Sequence, residues 1–151
     1  MKPRFLATAA LAASFAAMAT ARPTDQMKAF AGHWRVTGVA VSDDGVQALS
    51  ANDPSLIGKG LTVSNARLAW DRPTATHDSC LNPRFTRLGT SAPAALRSQL
   101  RELGLPRPTS FSIRCQSGSW GPGDSAMIFR GSGGVLAMPW YDGGLLKLAR
   151  P

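Results

Sequence analysis

The sequence predicts a mainly β protein: an antiparallel barrel of about seven or eight short strands with one mid-chain α-helix, at about 93–103. Three observations predict it. Short segments of alternating apolar and polar residues recur along the chain, separated by turns rich in Gly, Asp, Asn and Ser. A single stretch, Pro93 to Leu103, carries helical spacing. The first strand breaks its alternation at a glycine, the kind of bend a closing sheet needs.

The chain opens with a segment set apart from that domain. Lys2 and Arg4 give a basic start, an Ala- and Leu-rich run follows from Phe5 to Met18, and Ala19-Thr20-Ala21 supplies the small residues a signal peptidase reads. The expectation is a secretory signal over residues 1–21, cleaved after Ala21. Its apolar run falls short of the roughly 20 residues a membrane span needs. The 151 residues less those 21 leave 130, one domain over 22–151. The signal looks bacterial, so the mature protein is placed in the periplasm or secreted. No Cys stands at the cut, as a lipoprotein would require. No later segment has the length and apolarity of a membrane span, so a soluble, monomeric chain is expected.

Thr24 to Ala31 is a short helical or irregular lead-in. His33 to Val41 is the first strand: Trp34 and Val36 share one face, Val39 and Val41 have the opposite parity, and the switch falls at Gly38. Asp43-Asp44-Gly45 is a turn, and Val46 to Leu49 a short strand. Asn52-Asp53-Pro54-Ser55-Leu56 is a capped helical turn with Pro at its first position. Leu61 to Val63 and Arg67 to Trp70 form a hairpin across Ser64-Asn65-Ala66. Residues 71–92, with Pro73 and Pro83, are expected to be irregular. In the helix, Ser91 caps, Pro93 starts and Gly104 ends; Leu96, Leu100 and Leu103 line one face, which covers a side or end of the sheet. Strands resume with alternating Phe111, Ile113 and Cys115, then Ser125 to Arg130, Val135 to Met138 and Leu145 to Ala149. Gly131-Ser132-Gly133-Gly134 and Asp142-Gly143-Gly144 turn between the later ones.

Removing Lys2 and Arg4 leaves 15 basic against 9 acidic residues, a net of +6 carried mostly by arginine. Such a field favours an anionic partner, either a small ligand or an acidic protein. The arginines are scattered, which also suits plain solubility, and nucleic acid is not an expected partner after export. Cys80 and Cys115 form one disulfide in an oxidising compartment, worth roughly 3–4 kcal/mol for a loop of about 35 residues. Two distant cysteines and two histidines make a poor metal set, so no metal and no cofactor is expected.

Phe30-Ala31-Gly32-His33-Trp34 places G-x-W at the start of the first strand, and Leu146 to Arg150 ends the chain with a basic residue. This resembles the calycin superfamily, the lipocalin-like barrels. The resemblance implies that Trp34 plugs one end of the barrel and that Arg150 lies over its indole, both as structural residues. Lipocalins place their long helix after the last strand, whereas here it sits mid-chain. The resemblance supplies no activity.

Catalysis is not expected. Glu102, the one Glu, sits on the helix; His33 points to solvent beside Trp34; His77-Asp78 reads as an exposed pair in a loop. Gly123-Asp124-Ser125 lacks the strand–turn–helix context of a nucleophile, and no G-x-S-x-G elbow is present. The leading expectation is an exported binding protein for a small apolar or anionic ligand. An apolar ligand would lie among Val36, Leu61, Val63, Leu68, Phe111, Ile113, Ile128 and Met138, unless these simply fill the core. Trp70, Trp120, Trp140, Tyr141, Arg84 and Arg130 are the candidate contacts, with Trp120 as a lid or contact on a Gly-rich loop. Two alternatives stand: an inhibitor of a lysozyme or protease, acting through loops such as Ser117-Gly118-Ser119, and a non-catalytic envelope structural or glycan-binding protein.

Overall fold

A computed structural model describes residues 23–43, 48–123 and 126–151. A lead-in helix, α1 (Pro23–Phe30), is followed by β1 (Gly32–Val41), β2 (Gly60–Val63), β3 (Arg67–Trp70), β4 (Ser79–Leu81) and β5 (Arg84–Gly89). A short 3₁₀ turn then runs into α2 (Arg97–Glu102). The chain finishes with β6 (Thr109–Arg114), β7 (Ser117–Ser119), β8 (Ala126–Arg130), β9 (Leu136–Pro139) and β10 (Gly144–Ala149). All ten strands join one antiparallel sheet in the order β5-β6-β8-β9-β10-β1-β2-β3-β4-β7.

The sheet curls until its ends meet through the chain itself. The pair β5–β6 stands at one end of the order and β4–β7 at the other. Only Asn82 and Pro83 separate β4 from β5, and only Cys115 and Gln116 separate β6 from β7. Across these two kinks the Gln116 amide donates to Leu81 O at 2.9 Å, and Asn82 Nδ2 donates to Gln116 Oε1 at 2.7 Å. The Cys80–Cys115 disulfide, with Cα atoms 5.1 Å apart, fastens the same corner.

The parity fault in β1 is a bulge. Val36 pairs with Leu148 and Gly38 with Lys147, so Thr37 is one residue too many. The extra residue lets Trp34, Val36 and Val39 enter the same inner core, with Val41 half-buried against it. Gly38 is needed for a second reason. A Cβ there would press on Leu103 Cδ2 at 3.3 Å, where α2 crosses the outer face.

Apolar residues on that outer face form their own cluster: Leu100, Leu103 and Leu105 pack against Ala40, Phe129, Ala137 and Leu145. Alternation along β10 divides the two cores, since Leu146 and Leu148 face inward while Leu145 faces the helix. The helix ends as its glycine predicts. Gly104 has φ +81°, its amide bonds Arg101 O, and the Leu105 amide bonds Leu100 O at 2.7 Å, a Schellman closure with Leu100 and Leu105 in one cluster.

Several expectations need correction. Ten strands replace seven or eight, because two strands are split by kinks. Residues 71–92 are not irregular throughout: 79–81 and 84–89 form β4 and β5, whose partners lie in β3, β6 and β7. In β5 only Phe85 is buried, so Arg84, Thr86 and Arg87 give the segment a loop-like polarity. The helix is shorter than 93–103, since Ala94–Leu96 forms a 3₁₀ turn and Ser91 makes no cap. Ser91 instead accepts Ser110 Oγ on its carbonyl at 3.0 Å. Residues 1–21 lie outside the described residues, as do Val46 and Gln47 of the expected 46–49 strand and Asp124-Ser125. Leu49 packs on the inner core outside any strand.

The predicted turn at 52–56 is present. Asp53 Oδ1 accepts the Ser55 amide at 2.9 Å and the Ser55 hydroxyl at 2.6 Å, as an N-cap should ahead of Pro54. These bonds, with that from the Ser50 amide, lower the Asp53 pKa to about 2.

Candidate functional site

The register gives the strands two ends with different chemistry. At the first, β1 begins and β10 finishes. Trp34 is buried there, donating Nε1–H to Phe30 O at 2.7 Å. The Arg150 guanidinium lies over its ring, 4.5 Å from the centroid, and donates to Ala31 O at 3.0 Å. Gly32, at φ +128°, leaves room for it, because a Cβ at that position would strike Arg150 Nη1. Phe30 stacks on Phe85 at 4.4 Å and meets Phe111 edge-on at 4.9 Å. Helix α1 thereby drives an aromatic plug into this end.

At the second end, where β3, β7 and β9 finish, three indoles meet. Trp70 lies 5.6 Å from Trp120 and 5.1 Å from Trp140, and Trp120 lies 6.1 Å from Trp140. Tyr141 packs edge-on against Trp140 at 5.1 Å. Trp120, expected as a lid or contact, is 3 % exposed and donates Nε1–H to Met138 Sδ at 3.4 Å. Its Gly-rich setting looked like a free loop because Ser117–Ser119, which carries no apolar residue, is in fact paired to β4. Trp140 is also buried, whereas Trp70 and Tyr141 are half-buried.

Asp78 holds this end together, which corrects the reading of His77-Asp78 as an exposed pair. His77 is exposed at φ +53°, but Asp78 is only 5 % exposed. Its Oδ1 accepts the Gly121 amide at 2.9 Å and the Tyr141 hydroxyl at 2.8 Å. Burial, then the Asp78 carboxylate, raise the Tyr141 pKa and keep the phenol a donor. Two buried polar atoms beside this network have no hydrogen-bond partner among the described residues: Asp78 Oδ2 and Trp70 Nε1.

Between these ends the interior is occupied. Val36, Leu61, Val63, Leu68, Phe111, Ile113, Ile128 and Met138 are all buried in the inner core. Open spaces border it, one of about 700 Å³ touching Ile113 and Trp120 of this core. Another, of about 750 Å³, runs beside Trp70 and is flanked by Arg35, Lys59 and Arg72. No hydrogen bond or ion pair joins the charged group of any of these three side chains to another described residue. The one carboxylate of the groove, Asp71, accepts Thr62 Oγ1–H at 2.6 Å, and Thr62 in turn meets His33 Nδ1 at 2.9 Å. His33 is exposed, as expected.

Comparison with protein families, curated proteins and solved structures gives no match for this chain. The site therefore rests on geometry alone. Of the candidate contacts, Trp70, Trp120, Trp140 and Tyr141 converge. Arg84 and Arg130 do not join them. Arg84 lines a groove of about 600 Å³ with Gln26 and Met27 of α1, and Arg130 pairs with Thr109 across β8–β6. Sequence reasoning missed Arg35, Lys59, Arg72 and the role of Asp78. No local signal marks the three cations, which come together only through the pairing of β1, β2 and β3.

Proposed function

We propose that this chain is a non-catalytic binding protein that takes a small anionic ligand in the groove between Arg35, Lys59 and Arg72. Export to the periplasm suits its disulfide and its leader-like N-terminus. The fold reads as a lipocalin-like barrel. Joining β4 to β5 and β6 to β7 across their dipeptide kinks reduces ten strands to eight in an up-and-down meander. The Trp34–Arg150 contact supports the same reading.

One observation carries the functional conclusion. Three cationic side chains with no partner among the described residues line a groove that holds one carboxylate, itself already bonded to Thr62. The filled interior and the aromatic packing at both ends favour recognition on the outside of the barrel. Charges in contact with solvent attract weakly, about 1 kcal/mol per close contact in water, so three of them suit millimolar affinity for a simple anion. The test is an NMR titration with inorganic phosphate. Saturable shifts at residues 58–60 and 71–73 are expected, fading as salt screens the field. The triple variant Arg35→Ala, Lys59→Ala, Arg72→Ala should bind at least about tenfold more weakly, a loss of about 1.4 kcal/mol. Equal affinity in that variant would overturn the assignment.

A further inference from the structure

We infer that the anion read by this groove is the acid group of a sugar, with the sugar ring seated over Trp70 and a hydroxyl between Trp70 Nε1 and Asp78 Oδ2. The inference rests on the anion reading above and names the ligand class. Its starting point is Trp70, which belongs to two adjoining spaces. One is the basic groove. The other is a smaller cavity of about 240 Å³, lined among others by Thr74, His77 and Asp78, and the two share Trp70, Arg72 and Pro73.

The register brings the two residues that carry the unpartnered atoms side by side, and both line the smaller cavity. Ala69 of β3 pairs with Ser79 of β4, so the next step along each strand sets Trp70 against Asp78. Trp70 Nε1 can only donate, and a carboxylate oxygen can only accept. A phosphate or carboxylate placed there would satisfy the indole but face the Asp78 charge. An ammonium group would satisfy Asp78 but not the indole. A hydroxyl accepts from one and donates to the other. Asp78 is 95 % removed from solvent by its own burial of 5 % exposure, and its Oδ1 is already saturated by Gly121 and Tyr141, so its free oxygen is fixed in place. A ligand that spans both spaces therefore offers hydroxyls at one end and an acid at the other. Acidic pyranoses, as uronates or sugar phosphates, have that chemistry and a ring face to lie on an indole.

The experiment compares four probes on the intact protein by NMR titration: glucose, inorganic phosphate, glucuronate and glucose 6-phosphate. Both acidic sugars are expected to bind at least about tenfold more tightly than phosphate or glucose, and to shift the Trp70 indole N–H resonance, which phosphate leaves in place. The stronger of the two identifies the acid. In Trp70→Phe, which keeps a ring but loses the donor, the preference for the acidic sugars over phosphate should collapse toward equal affinity. The wild-type probe ratios and the indole resonance decide the matter even where that variant folds poorly. Acidic sugars that bind no better than phosphate, with the indole resonance unmoved, would overturn the saccharide inference and leave the anion groove standing. No binding of phosphate or of either acidic sugar would overturn both.

Discussion

Arg150 is exposed, yet it closes one end of the molecule. Its guanidinium contributes through a planar stack on Trp34 and a hydrogen bond to Ala31 O, neither of which a neutral side chain replaces. Arg150→Ala is expected to destabilise the fold by about 0.5–2 kcal/mol, read as a fall of several degrees in Tm by calorimetry. At the other end, Tyr141 gives a pH signature. Its phenol is raised above the ordinary 10.0, chiefly by burial and then by Asp78. A raised folded-state value means the neutral form is favoured by folding. That stability is complete below about pH 10 and is lost as pH climbs toward the folded-state value. Tyr141→Phe should remove this alkaline component while costing about 1–2 kcal/mol at neutral pH, since Asp78 Oδ1 keeps only the Gly121 amide. A variant that loses stability above pH 10 as steeply as wild type would contradict the assignment.

Elements were legible where their evidence is local. The Gly38 switch in parity was written into nine residues and is a bulge in the structure, and the Ser64-Asn65-Ala66 hairpin and the Gly104 stop follow from turn chemistry. Strands β4, β5 and β7 were not legible, because their stability comes from distant partners. Ser117-Gly118-Ser119 has no strand character of its own and is held by Ser79 to Leu81 across the disulfide corner. Helix α2 is short, so its hold on the sheet depends on burial. Leu100, 1 % exposed against Ala40 and Leu145, anchors it. Leu100→Ala should cost about 2–5 kcal/mol in denaturant unfolding, most of it from the cavity left between helix and sheet.

For the molecule as a whole, β class, disulfide and inward residues could be read in advance, since all depend on alternation and cysteine count. The corner where the sheet ends meet could not. It depends on Asn82-Pro83 and Cys115-Gln116 kinking at matched positions 33 residues apart, counted from Asn82 to Cys115. Removing the disulfide with Cys80→Ser and Cys115→Ser together should lower stability by roughly 3–4 kcal/mol under oxidising conditions. Much of the site was also hidden. Trp70 and Tyr141 were singled out as aromatics, but Arg35, Lys59 and Arg72 fall on separate elements, and Asp78 gave no sign that it would be buried.

The central claim is that the barrel interior is solid and that recognition happens on its outside, beside Trp70. The most direct measurement is a methyl and amide NMR titration of the wild-type protein with glucose 6-phosphate. The account predicts shifts confined to residues 58–60, 70–73 and 77–78, with the methyl signals of Leu61, Ile128 and Met138 unmoved. Shifts in those three inner methyls, with the groove amides silent, would contradict it.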